Sequence, residues 1–74
     1  MKRLRLRIRE IREFKGITCQ YIADRVGISK VEVNRIERGL RDPKAQVLFR
    51  ISQALEVPFE EIYEIIDTEK PQSQ

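Results

Sequence analysis

Three glycines, Gly16, Gly27 and Gly39, stand 11 and 12 residues apart, and Pro43 and Pro58 continue the punctuation. Between these marks the apolar residues recur at helical spacing. The chain is therefore cut into short helical pieces. The second holds only about nine residues between Thr18 and Gly27, too few for an isolated helix in water. Stability must come from docking the pieces on one another. A length of 74 residues allows one domain in which to do so.

In the first piece Leu4, Ile8 and Ile11 fall at i, i+4 and i+7, with Phe14 three further on. That pattern predicts a helix from about Arg5 to Gly16. The stretch Arg3-Leu4-Arg5-Leu6-Arg7-Ile8-Arg9 also alternates strictly, which is a strand period. Residues 1–4 are open between an arm, a strand and a first turn. The second piece starts at Thr18, a good N-cap, and carries Ile22, Ala23 and Val26. The third starts at Ser29, and Ser29-x-x-Glu32 reads as a capping box. Val33 and Ile36 can face inward, which leaves Lys30, Val31, Asn34, Arg35 and Arg38 as a continuous outward stripe. The fourth follows Asp42-Pro43 with Val47, Leu48, Ile51, Ala54 and Leu55. The fifth starts near Pro58, with Phe59, Ile62 and Ile66 on one face and Tyr63 and Ile65 off it. Residues 67–74 are polar, contain Pro71, and read as a flexible tail behind a domain spanning 1–66.

Several classes of function are excluded by what is missing. With no histidine there is no imidazole base or histidine metal ligand. With one cysteine, Cys19, there is no intrachain disulfide and no cysteine zinc site. Ser29, Ser52 and Ser73 have no base partner in reach by sequence, and there is no phosphate loop. The chain is expected not to be an enzyme and to need no cofactor, metal or small-molecule ligand. No apolar run approaches the roughly 20 residues of a membrane span. No apolar core follows the basic N-terminus as in a secretory signal. The expected setting is cytoplasmic, away from membranes.

Charge is unevenly placed. The formal total is +3. Residues 1–15 carry seven bases and two acids, residues 16–44 six and four, and residues 45–74 two and six. A portion of +7 thus precedes a portion of −4. Such asymmetry fits a basic face for an anionic partner, or equally an ordinary solvated surface with an acidic end.

Two short helices joined by Gly27-Ile28-Ser29 have the geometry of a helix-turn-helix. The ordered set is more specific: Gly16-Ile17-Thr18, Ile22-Ala23, Val26-Gly27-Ile28-Ser29, Val33-x-x-Ile36-Glu37-Arg38-Gly39 and Pro43. With the trailing Ile51-x-x-Ala54-Leu55-x-Val57-Pro58-x-Glu60-Glu61-Ile62, it resembles the phage Cro and CI repressor type of helix-turn-helix domain, the XRE family. The resemblance spans roughly Ile8 to Ile66. It implies an all-α fold, a compact bundle of about five helices like the lambda repressor DNA-binding domain. Arg12 and Glu37 match a structural ion pair of the family. Three positions depart from the pattern. Cys19 stands where the family has a phosphate-holding glutamine, and a thiol is a poor donor. Gln20, next door, is turned by about 100°. Tyr21 replaces a capping glutamate, and Glu56 a turn glycine, at a cost of order 1 kcal/mol if its φ is positive. Cys19 near a helix N-terminus invites a redox reading, since such a site lowers a thiol pKa. No second cysteine accompanies it, and neutral replacement is the simpler account.

The resemblance implies a sequence-specific transcriptional regulator, a repressor or autoregulator of phage, mobile-element or restriction-modification type. Its partner is a double-stranded DNA operator, read in the major groove by the helix at about 30–38. Lys30, Val31 and Arg35 are the candidates for base contacts. Thr18, Gln20, Asn34, Arg38, Arg41 and Lys44 are the candidates for the DNA backbone. The basic N-terminus is open among a DNA arm, a helix beside flanking phosphates, a strand paired across a dimer, and a solubilising segment. A homodimer is expected, with Phe59, Tyr63, Ile65 and Ile66 as its surface. The alternative function is a helix-turn-helix antitoxin or protein-interaction module.

Overall fold

Where the chain turns, glycine does what a side chain would oppose. Gly27 takes φ 88°, and its N–H bonds the Ala23 carbonyl at 2.8 Å. That left-handed residue ends one helix and aims the next. In a computed structural model, which describes residues 2–67, the elements run as follows. Strand β1 is Lys2–Leu6, helix α1 Ile8–Lys15, α2 Cys19–Val26, α3 Lys30–Glu37 and α4 Ala45–Leu55. A single 3-10 turn, Phe59–Ile62, leads into strand β2, Tyr63–Asp67. Residues 68–74, most of the expected tail, lie outside the described residues.

The core is aliphatic. Ile8, Ile22, Val33, Ile36, Ile51, Leu55 and Ile62 are each less than 2% exposed. They come from all four helices and the 3-10 turn, so each piece is held by the others. Burying such a side chain contributes about 1.5–3 kcal/mol relative to leaving it in water. Of the three phenylalanines only Phe59 packs on this core. Phe14 is 92% exposed, against the expectation that it extends the face of Ile8 and Ile11. At 100° per residue it lies about 100° from the middle of that face, which Ile8, Ile11 and Arg12 occupy.

Two expectations from the sequence are corrected. Among the described residues the fold is not all-α with about five helices, but four α-helices with a small antiparallel sheet. Residues Arg5 to Arg7 do not open the first helix, because β1 runs to Leu6 and α1 begins at Ile8. The alternating arginines and leucines follow the strand period. Leu6 packs on the core, while the Arg7 N–H reaches the Ile62 carbonyl at 2.7 Å. The fifth piece is helical for one turn only. Ile62 and Ile66 are four apart, as on a helix, yet Tyr63, Ile65 and Ile66 are strand formers and find β1 beside them. In the register, Leu4 faces Ile65, Arg5 faces Glu64 and Leu6 faces Tyr63. Arg5 Nη1 bonds Glu64 Oε2 at 3.0 Å. Two strands alone are marginal in water. Leu6 and Tyr63, both partly buried on the core, anchor these two.

The turn after α4 carries the strain expected there. Glu56 has φ 59° and ψ 45° and is the only non-glycine with positive φ among the described residues. Its Cβ disfavours that region, and a glycine does not. Glu56→Gly is expected to raise stability by about 1 kcal/mol, net of the extra freedom glycine gains in the unfolded chain. A urea titration at unchanged m value reads this directly. An unmoved or lowered midpoint would show that the turn is relaxed as it stands.

Candidate nucleic-acid interface

The helix pair α2–α3 is built by its caps. Thr18 Oγ1 accepts from the Tyr21 N–H at 3.1 Å, and Ser29 Oγ accepts from the Glu32 N–H at 3.0 Å. The Ser29 box is only half a box. The Glu32 carboxylate does not turn back to Ser29, but takes Arg41 Nε at 3.3 Å. This contact draws the chain after α3 toward its first turn.

Val33 and Ile36 sink into the core at 0% and 1% exposure, and this sets the rotation of α3. The opposite face therefore turns outward. Lys30, Val31, Asn34, Arg35 and Arg38 are all exposed. Together with Leu40 they line one shallow concavity. Leu40, 66% exposed, was not among the site candidates. An apolar residue in the otherwise polar turn Gly39-Leu40-Arg41 was the signal for it. The surface offers three cations, one amide and two apolar side chains. It can donate to anions and pack against methyl groups.

Behind this face a charged clamp fixes α3 against α1. Arg12 Nε bonds Glu37 Oε2 at 2.8 Å, and Arg12 Nη2 bonds Glu37 Oε1 at 3.3 Å. Arg12 Nη1 donates to the Ile17 carbonyl at 3.0 Å. The Glu37 side chain is 3% exposed and that of Arg12 14%. The hydrogen bond to Glu37 holds the Arg12 guanidinium above its ordinary pKa, against the opposing effect of burial. Cys19 Sγ lies 3.9 Å from both Glu37 oxygens. Burial pushes the Cys19 thiol up, and the Glu37 charge adds to it. This is the reverse of the lowering expected at a helix N-terminus, and it favours the protonated thiol.

The remaining candidates are dispersed. Arg41 lines a neighbouring cleft that it shares with Arg38. Thr18 borders a separate hollow with Lys15, Tyr21 and Glu56. Lys44 borders another with Gly27 and Arg50. Gln20 Nε2 is held by Asp24 Oδ1 at 2.8 Å on the exposed side of α2. Phe59 and Tyr63 are partly buried on the core and Ile65 is 63% exposed. Ile65 and Ile66 cannot serve one surface, because neighbours in a strand point to opposite sides. Ile66 lines the Arg38–Arg41 cleft instead. Among the described residues no cluster of potential metal ligands occurs, and no helix is long and apolar enough to cross a membrane.

Comparison with known proteins places the same segment. The family HTH_3, described as Helix-turn-helix, matches residues 8–62. An uncharacterized HTH-type transcriptional regulator of Mycobacterium tuberculosis is 41% identical over 56 residues, which cover 76% of this chain and 40% of that protein. The chain thus spans about 40% of the length of this relative. A second, from Archaeoglobus fulgidus, is 28% identical over 67 residues, covering 90% of this chain and 94% of its own. Among solved structures, the restriction-modification controller protein C.AhdI from Aeromonas hydrophila superposes with a TM-score of 0.71 at 29% identity. That match covers 74% of this chain and 83% of C.AhdI.

Proposed function

The chain belongs to the helix-turn-helix family HTH_3, the XRE family, and from that premise we propose that it is a transcriptional regulator that binds double-stranded DNA sequence-specifically, a repressor or autoregulator. One observation carries the reading. The face of α3 opposite Val33 and Ile36 is a stripe of exposed donors on a helix that is clamped from behind. A helix held this rigidly enters the major groove with its side chains already oriented. Lys30 and Arg35 donate to guanine O6 or N7, and Val31 packs on a thymine methyl. Leu40 adds a second apolar contact at the rim. Asn34, Arg38, Arg41, Lys44, Thr18 and Gln20 contact the DNA backbone and set the register. The likeness to a restriction-modification controller favours a regulator of that kind.

The regulator acts as a homodimer. Phe49, Phe59 and Tyr63 form an aromatic row with ring centroids 6.3 and 5.5 Å apart. Leu4 and Ile65, paired in register and 55% and 63% exposed, add to the apolar surface beside it. A second copy covers such a surface with the same surface, in a two-fold contact. Selection of bound duplexes from a random DNA pool tests both statements. The expected product is a two-fold-related motif with half-sites about 34 Å apart on one face of the DNA. Failure to enrich any motif would remove the DNA reading, and a single unrepeated half-site would remove the dimer.

A further inference from the structure

Strand β1 has two sides, and core packing accounts for only one. Leu4 and Leu6 share the side on which Leu6 reaches the core. Arg3 and Arg5 share the other, and both are exposed. The strand, through Leu4 and Leu6 as well as these arginines, walls a cleft whose opposite wall is the end of α3 and the following turn, with Arg38 and Arg41, and which Arg9 of α1 also borders. Five arginines thus meet three carboxylates in one concavity.

Most of that acidic charge is already engaged. Glu37 is bound to Arg12 behind the cleft at 2.8 Å. Glu10 takes Arg5 Nη2 at 3.1 Å, while Arg5 Nη1 holds Glu64. Arg5 thus pairs at once with α1 and β2. Arg9 and Arg41 make exposed pairs with Glu13 and Glu32 at 3.1 and 3.3 Å. Such pairs are weak, and each guanidinium keeps further N–H donors. The cleft is a net basic recess, with Leu4, Leu6, Ile36, Ile66 and Asp42 also in its lining, and its planar guanidinium forks suit phosphate oxygens.

Its position identifies the source of the phosphate. Arg38 lines both this cleft and the concavity along α3. A polyanion lying on α3 passes Arg38 and meets the cleft next. The geometry points to the cleft as a phosphate site that extends the α3 surface: the backbone of duplex DNA flanking the bases read by α3 enters it, and Arg3 and Arg9 donate to the phosphate oxygens. The inference rests on the DNA-binding reading and adds to it a contact made by β1 and α1, outside the helix pair α2–α3.

Salt dependence of duplex affinity tests it with the full chain. The probes are a duplex carrying the selected motif with its natural flanks, and the same duplex with the flanks trimmed. Arg3→Ala/Arg9→Ala is expected to flatten the slope of log K against log salt by about 1.8, or 0.9 for each phosphate contact. Between 50 and 200 mM salt that is a loss of about twelvefold in salt sensitivity. Arg3→Lys/Arg9→Lys keeps the charges and is expected to keep the slope. Trimming the flanks brings the wild-type slope down to that of the alanine variant. This arm needs no mutant, so it decides the matter even if the alanine variant fails to fold. A wild-type slope indifferent to the flanks, or an alanine variant with the wild-type slope, overturns the inference while leaving the helix-turn-helix reading intact. Inorganic phosphate that saturates the cleft without altering the slope makes it a free-anion site and overturns it too. Absence of any duplex binding by the wild-type chain is a different result, and it removes the DNA-binding reading together with this extension.

Discussion

Arg12→Ala destabilises the domain by about 3–5 kcal/mol, the range for removing one partner of a buried ion pair. The Glu37 carboxylate, 3% exposed, loses both guanidinium hydrogen bonds and keeps only a thiol at 3.9 Å. The Ile17 carbonyl loses its donor at 3.0 Å as well. A domain of this size has a total stability of only about 5 kcal/mol, so the variant is left with about 0–2 kcal/mol and is marginally stable at room temperature. The pair itself contributes far less than its breakage costs, because desolvation offsets most of the attraction. Arg12→Met/Glu37→Met therefore recovers most of the loss. Urea unfolding followed by circular dichroism gives both numbers. If the single and double variants are equally unstable, the stranded charge is not the cause.

The second large effect is on binding, with folding untouched. Lys30→Ala/Arg35→Ala is expected to weaken binding to the selected site by about 2–6 kcal/mol, from 1–3 kcal/mol for each base contact. That is a loss of at least thirtyfold in Kd. Binding to unrelated duplex falls only by the two charges removed, so the specificity ratio collapses. Both side chains stand outside the core on α3, and stability should stay within about 0.5 kcal/mol of wild type. Competition of the selected site against a scrambled duplex reads the ratio. An unchanged ratio would show that α3 does not read bases.

The helices were legible in the sequence because their causes are local. Ser29 caps α3 three residues from the amide it bonds, and Gly27 and Gly39 lie at the turns they permit. The inward pair Val33 and Ile36 settles which side of α3 faces out, and with it the whole outward stripe. The Arg12–Glu37 clamp spans 25 residues, and only the family resemblance brought its two ends together. The sheet had no such help. Arg5 and Glu64 are 59 residues apart, so the strand period of residues 3–9 showed no partner. Each segment also carried a competing helical spacing, Leu4–Ile8–Ile11 in the first and Ile62–Ile66 in the second. Local pattern favoured the helix, and a distant partner favoured the strand. The cleft beside α3 was invisible for the same reason, since one of its walls is β1. Leu40 is one apolar residue in a polar turn, and local pattern alone does not separate it from a solvated side chain.

The β1–β2 ladder also orders events in time. Helical hydrogen bonds close over four residues, whereas this ladder must bring together the two ends of the described chain. Its closure entropy is the largest among the pairings of the described residues, so it is expected to form after the contacts that give α1 to α4 their core. By the same token it is the first cooperative unit to open. Helix α3 is thus expected to be in place before strand β1. If α3 reads bases and β1 holds the flank, as proposed, an encounter with DNA before the ladder closes meets the first without the second.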